Sequence, residues 1–299
     1  MKHIKLTVAA LSILVLITSC KKDPNLVTTT NPVGATIIVS PVAPPSAATD
    51  STLVMGNPSG ATLNILDIDN YLIKEGFYSV SYNRDRGIPN WVSWHLSASD
   101  LGSVSRQNSF APNDHLPSGW YQVTSTSYSN SGFDRGHMCP SADRTTSLDA
   151  NNSTFFMTNI VPQAPRNNQI TWAGLENYCR DSLVGLGKEL YIISGASGNG
   201  GSYVTGGNII NSIDNDRIAV PAFVWKVIVV LSNGGGDLAR VNTNTRVISV
   251  IMPNNNDVDS KWRTYRTSVR DIETLSTYNL LSNLSTSLQN TLEVRVDNQ

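Results

Sequence analysis

FDRGHMCPSADR, residues 133–144, gathers one His, two Arg, two Asp and one Cys into twelve positions of a chain in which charged residues make up only 15%. A neutral imidazole titrates near neutrality and can take a proton from water, so His137 is a candidate general base. The guanidinium of Arg135 matches phosphate oxygens in bidentate fashion. Positions i and i+2 of a strand face one side, so Arg135 and His137 can converge on one substrate. Gly136 between them leaves room for a ligand to approach the backbone. A structural His–Asp hydrogen bond in a turn fits the spacing equally well. Asp134 and Asp143 read as local supports, and Arg144 as a candidate on a phosphate path.

The remaining histidines offer less. His3 lies in an N-terminal basic and apolar segment, His95 in the alternating run NWVSWHLS and His115 in the loop APNDHLPSGW; both of the latter read as structural. The glycine-rich SGNGGSYVTGG lacks the Gly-Lys-Ser/Thr of a phosphate loop. With 299 residues the chain has ample length for a buried core. Its formal net charge of −1 gives weak long-range steering toward polyanions, so any polyanion site is a local patch.

The first residues, MKHIK followed by LTVAALSILVLI and ITSC, read as a lipoprotein signal peptide over residues 1–19, with Cys20 as the lipidated residue. The apolar run is too short for a comfortable span. The expectation is export and membrane anchoring through Cys20, in the periplasm or at the cell surface. Residues 20–55, rich in Thr, Pro and Ala, read as a flexible tether, with ATIIVS as its strand-like piece. Of three Cys, removing Cys20 leaves Cys139 and Cys179, an even pair in a disulfide-permitting compartment.

Residues 56–299 read as the globular domain. Strands are expected at FYSVSYN (Phe77–Asn83), NWVSWHLS (Asn90–Ser97), TFFMTNIVPQ (Thr154–Gln163), ELYIISGA (Glu189–Ala196), AFVWKVIVVLS (Ala222–Ser232) and RVISVIMPN (Arg246–Asn254). Helical spacing runs from Asn168 to Gly187, where Trp172, Leu175 and Cys179 share a face and Gly185 and Gly187 follow as stops. One or two further helices close the C-terminus. Without regular βαβ alternation the class is α+β, a central mostly antiparallel sheet with flanking helices.

DRGH (Asp134–His137), followed by TNIVPQAPRNNQITWAGLE, resembles the two motif blocks of the DNA/RNA non-specific endonucleases, a ββα-metal (His-Me finger) family. The resemblance runs from about Gly56 to the C-terminus and includes PNWVSWHL, VPAFVWKVIVV and RVISVIMPN. It implies a Mg²⁺-dependent endonuclease, Mn²⁺ being an alternative ion, that cleaves DNA and RNA with little sequence preference and leaves 5′-phosphates. It implies no protein partner.

Carried over, His137 is the general base, Arg135 the phosphate clamp and Asn168 the one direct protein ligand of the metal, with Asn167 as a neighbouring alternative. Glu176 matches the family's acidic helper. Eight helical residues rise about 12 Å, so Asn168 and Glu176 hardly share one ion, and Glu176 is expected to hold a metal-bound water. Arg180 matches a phosphate-contacting Arg and is expected to orient Glu176 through an i,i+4 ion pair. Asn159 is expected to position substrate. Pro89 stands where some members carry Arg, and Arg84 and Arg86 are candidate substitutes. A Cys139–Cys179 disulfide would tie the base-bearing strand to the metal-bearing helix. Two rivals stay open: a non-catalytic nucleic-acid-binding lipoprotein and a phosphodiesterase for another substrate.

Overall fold

The computed structural model describes residues 27–30, 36–39 and 51–299; the expected signal peptide and Cys20 lie outside the described residues. The chain divides into two units, Met1–Ser46 and Ala47–Gln299. In the first, β1 (Val27–Thr30) pairs antiparallel with β2 (Thr36–Val39). The stretch expected to be a flexible tether thus carries a paired two-stranded ribbon, and ATIIVS, its expected strand-like piece, supplies the second strand.

The second unit is built on a seven-stranded sheet. Its strands are β3 (Tyr71–Lys74), β4 (Ser79–Asn83), β5 (Ile88–Leu96), β8 (Lys188–Ser197), β11 (Phe223–Ser232), β12 (Arg246–Pro253) and β13 (Arg266–Thr267). The order is β13-β12-β11-β8-β5-β4-β3, and every neighbouring pair is antiparallel. Two ribbons stand apart from it: β6 (Asp134–His137) with β7 (Ile160–Gln163), and β9 (Ser212–Ile213) with β10 (Ile218–Ala219).

Both faces of the sheet are covered, which is why its central strands read as nearly continuous apolar runs. On one face Val92, Trp94 and Leu96, Leu190 and Ile192, and Val224, Ile228 and Val230 pack against Met138, Ile160, Val161, Trp172 and Leu175. On the other, Trp91, Ile193, Trp225, Val227 and Val229 meet the C-terminal helices α4 (Val269–Ser276) and α5 (Thr286–Leu292) through Val269, Ile272 and Leu292. Two shorter helices, α1 (Leu148–Ser153) and α3 (Asp237–Arg240), lie earlier in the chain. The class is α+β with an antiparallel central sheet, as the order of elements implies.

One expected strand is shorter than its sequence suggests. Only Ile160–Gln163 of Thr154–Gln163 is extended. The amides of Thr154, Phe155 and Phe156 instead bond the carbonyls of Asn151, Asn152 and Ser153, so α1 unwinds through this segment before β7 begins. Phe155 here fills the core, and Phe156 makes a single parallel bridge with Ala111 in place of a ladder.

Candidate active site

The DRGH strand, β7 and the helix that follows form a ββα unit. Asp134 pairs with Gln163, Arg135 with Pro162, Gly136 with Val161 and His137 with Ile160. The helix runs on through Asn167–Trp172, α2 (Ala173–Asn177) and Tyr178–Leu183, with wide i→i+5 turns on either side of α2. Gly136 is required by a neighbour. A Cβ there would lie 2.2 Å from Oε1 and 2.6 Å from Cβ of Gln163. The room expected for a ligand is occupied by this glutamine.

Gln163 also separates the two candidate asparagines. Its Nε2 donates to Asn167 Oδ1 at 2.7 Å, and Asn167 Nδ2 donates to the Pro253 carbonyl at 2.6 Å, so both ends of that buried amide are committed. Half-buried Asn168 donates through Nδ2 to Asp134 Oδ2 at 2.9 Å, and Gln169 Nε2 donates to the same oxygen at 2.8 Å. Among the described residues no protein donor is bound to Asn168 Oδ1, which leaves a neutral oxygen of fixed orientation for a hard cation.

His137 is 7% exposed. Phe155 meets its ring edge-on, with centroids 4.9 Å apart and planes at 88°, and Phe110 lies 5.4 Å away. The Arg135 guanidinium lies 4.1 Å over the Phe110 ring, so Arg135 and His137 share this aromatic wall. Nε2 of His137 is buried without a hydrogen-bond partner among the described residues. Burial above all, then the charge of Arg106 and that of Arg135, pushes the imidazole down to about 3, against a hydrogen bond with the Arg135 backbone. The ring is therefore neutral at pH 7, the protonation state a base requires.

Arg106 is a site residue that motif reading missed. It stacks 4.9 Å over Phe155, donates to Ser141 Oγ at 3.0 Å and interacts electrostatically with His137, Arg135 and Glu176. It sits in the irregular stretch GSVSRQNSF, which carries no periodicity to mark it. Arg84 and Arg86, the candidates to replace the Arg absent at Pro89, are engaged elsewhere: Arg84 pairs with Asp85 and stacks on Trp120, while Arg86 donates to the Gly198 carbonyl.

Glu176 does not pair with Arg180 as expected. Its Oε1 is 3.3 Å from Nζ of Lys226, and Arg180 instead bonds Asp143 Oδ1 at 2.7 Å and Asn177 Oδ1 at 2.7 Å. Asp143 is fixed in turn by the Trp94 indole at 3.0 Å, which fits its reading as a support. Burial raises Glu176 above the usual carboxylate range, with Lys226 and then Arg180 opposing. Lys226 was also missed, although its signal is plain: it is the one charge inside the apolar run AFVWKVIVVLS.

Three expectations are corrected. Asn159, assigned to substrate, is fully buried: it accepts from Cys139 N at 2.9 Å and donates to the carbonyls of Cys139 and Thr154 at 2.8 Å each. It clamps the chain two residues after His137. Arg144, assigned to the phosphate path, is buried with its guanidinium on the carbonyls of Phe77, His95 and Asp143. Cys139 and Cys179 are free thiols, not a disulfide. Both lie in the larger core cluster as small apolar groups, and burial raises Cys139 and pushes Cys179 up to about 12, suppressing the thiolate that disulfide exchange needs. His95 and His115 keep structural roles, bonded to Glu189 and Glu75 respectively.

Among the described residues no cluster of three His, Cys, Asp or Glu offers a metal cage. A hard ion held by one amide oxygen and its own water shell needs none. A family model described as DNA/RNA non-specific endonuclease matches residues 57–287. A protein named Nuclease from Nostoc sp. strain PCC 7120 is 44% identical over 260 residues, covering 87% of this chain and 91% of the relative. Mitochondrial endonuclease G from Bos taurus is 30% identical over 229 residues, 72% of this chain and 71% of its own. The crystal structure of the EndoG/EndoGI complex superposes with a TM-score of 0.63 at 22% identity, over 82% of this chain and 95% of that one, a likeness of fold. The chain belongs to the DNA/RNA non-specific endonuclease family and is a hydrolase acting on nucleic acids.

Proposed function

We propose that the protein is an exported, Mg²⁺-dependent endonuclease that cleaves phosphodiester bonds of DNA and RNA with little sequence preference and releases 5′-phosphate ends. The observation that carries this reading is the neutral, buried His137 with an unpartnered Nε2, flanked by the guanidiniums of Arg135 and Arg106.

His137 takes a proton from the attacking water. Arg135 and Arg106, each lying over a phenylalanine, hold the non-bridging oxygens of the scissile phosphate, and Arg180 adds charge from the helix. A bound phosphate offsets the two positive charges that depress His137, so substrate itself raises the basicity of the base. Asn168 Oδ1 would hold the metal, oriented by Asp134, and Glu176 would accept from a metal-bound water. When bound, Mg²⁺ stabilises charge on the phosphorane and on the leaving 3′-oxygen. Mn²⁺ suits the same oxygen donors. Weak sequence preference follows because these groups grip backbone phosphate and not base edges.

The test incubates the purified protein with plasmid and with RNA, with Mg²⁺ or with chelator, beside His137→Ala. Cleavage of both polymers that needs metal and falls at least 100-fold in the variant supports the reading. Binding without cleavage would make the chain a capture protein, and an unaffected His137→Ala would remove the base. We further propose that Cys20 carries a lipid that anchors the exported protein to a membrane; fatty-acid labelling lost in Cys20→Ser tests it.

A further inference from the structure

Lys226 is 1% exposed at the centre of the sheet, where its Cα pairs with Ser194 of β8 and Val250 of β12. Strand alternation places it on the face that bears Val224, Ile228 and Val230, a charge among the residues of the larger core cluster. The ammonium lies 4.2 Å from the Trp172 ring and 5.4 Å from the Trp94 ring, and its carboxylate partner is Glu176 at 3.3 Å. A buried ion pair gains little stability over apolar side chains of the same volume, because both charges lose their hydration. Methionine would fill this position among tryptophans, so packing alone does not call for a lysine. What the lysine adds is a fixed positive charge beneath the helix, on a stem long enough to reach Glu176, between aromatic faces that attract a cation.

Glu176 and Arg180, the two charged helix residues assigned to the site, are thus anchored separately. Arg180 is held by Asp143, itself fixed by Trp94, while Glu176 is held from the sheet by Lys226. We propose that Lys226 is a positioning residue for hydrolysis, holding the Glu176 carboxylate in the orientation and charge the site uses without touching substrate. The proposal rests on the role given to Glu176 under the proposed function. It goes beyond a structural ion pair, because its effect must run through Glu176.

The experiment is a double-mutant cycle with Lys226→Met, Glu176→Gln and the double variant, measuring kcat and KM on a DNA duplex with Mg²⁺. Binding of fluorescein-labelled DNA in chelator is followed by anisotropy. The expected result is that Lys226→Met lowers kcat roughly tenfold or more, leaves KM and chelator-state binding within about twofold, and that the double variant is no slower than Glu176→Gln alone. If Lys226→Met keeps its kcat while Glu176→Gln loses it, the inference is overturned and the role of Glu176 survives. If the two factors multiply, Lys226 acts independently of Glu176 and the inference is overturned. If Glu176→Gln is itself fully active, the reading of Glu176 fails, and the inference with it. Should Lys226→Met not fold, the double variant, in which no buried charge is left unpaired, is read against Glu176→Gln: equal rates support the inference and a further fall overturns it.

Discussion

Asn168 on the helix donates its side-chain amide to Asp134 at 2.9 Å, across 34 residues of sequence. The bond joins the first residue of the DRGH strand to the helix that follows β7. It also settles which end of the Asn168 amide faces outward, since the nitrogen is engaged and the oxygen is not. Under the proposed function, Asp134 would therefore act on the metal through the residue that would hold it.

Asp134→Ala removes that orientation and frees the Gln169 amide as well. The Mg²⁺ concentration for half-maximal cleavage should rise roughly tenfold or more, as for other changes just outside a metal's ligands. The melting temperature should barely change, because the bonds are partly exposed. An unchanged metal dependence would show that Asn168 holds its orientation without Asp134.

A second prediction concerns acid. Burial, then Arg106 and Arg135, holds His137 down to about 3 in the folded protein, against an unfolded value near 6.5. The folded state thus binds this proton less readily than the unfolded chain. Stability from this source is fully present above pH ~6.5 and is lost as pH falls toward ~3, on the order of 4 kcal/mol across the window. Urea midpoints measured at pH 7 and pH 4 should differ clearly in the wild type and much less in His137→Gln. Equal acid sensitivity of the two proteins would reject the depressed imidazole.

The framework was legible where local pattern and tertiary environment agree. Apart from Lys226, Val224–Leu231 is apolar on both faces because both faces of β11 are covered, so sequence marks it as a central strand. Arg135 and His137 were legible because a strand sets their side by parity. Asn159 and Arg144 were not, since their polar groups are consumed by carbonyls of residues remote in sequence, such as Cys139 and Phe77. Arg106 escaped because a loop has no period. The cysteines misled because an even count in a chain expected to be exported says nothing about how two buried side chains are packed.

Asn159 tests that difference. Asn159→Ala leaves the backbone N–H and C=O of Cys139 and the carbonyl of Thr154 buried without their partner. The cost should be about 2–4 kcal/mol, a fall in Tm of roughly 5–15 °C for a domain of this size. At a temperature where the variant is folded, kcat should fall while KM holds, because the clamp sits beside the base. Should the variant melt like the wild type and show a raised KM, Asn159 would be a substrate contact after all.

The last prediction concerns the opposite limb of the pH range and the opposite face of the sheet. Burial, then repulsion from Glu273, pushes Glu293 up to about 7, although Arg270 lies 2.7 Å from its carboxylate. A folded carboxyl raised above its unfolded value favours folding while it is protonated. That contribution is present below pH ~4.5 and is lost as pH rises through ~7. Solvent near the pair moderates it, so about 1–2 kcal/mol is expected, or roughly 3–6 °C in Tm between pH 5.5 and 8. Glu293→Gln should flatten this slope without touching cleavage, because α4 and α5 cover the face away from His137. The His137 contribution is complete only above pH ~6.5 and the Glu293 contribution fades toward pH ~7, so their opposed slopes largely cancel between pH ~4.5 and ~6.5 and the maximum from this pair falls near pH ~6.5. A wild-type Tm that rises steadily from pH 5.5 to 8, with Glu293→Gln following it, would show that Glu293 is ionised throughout.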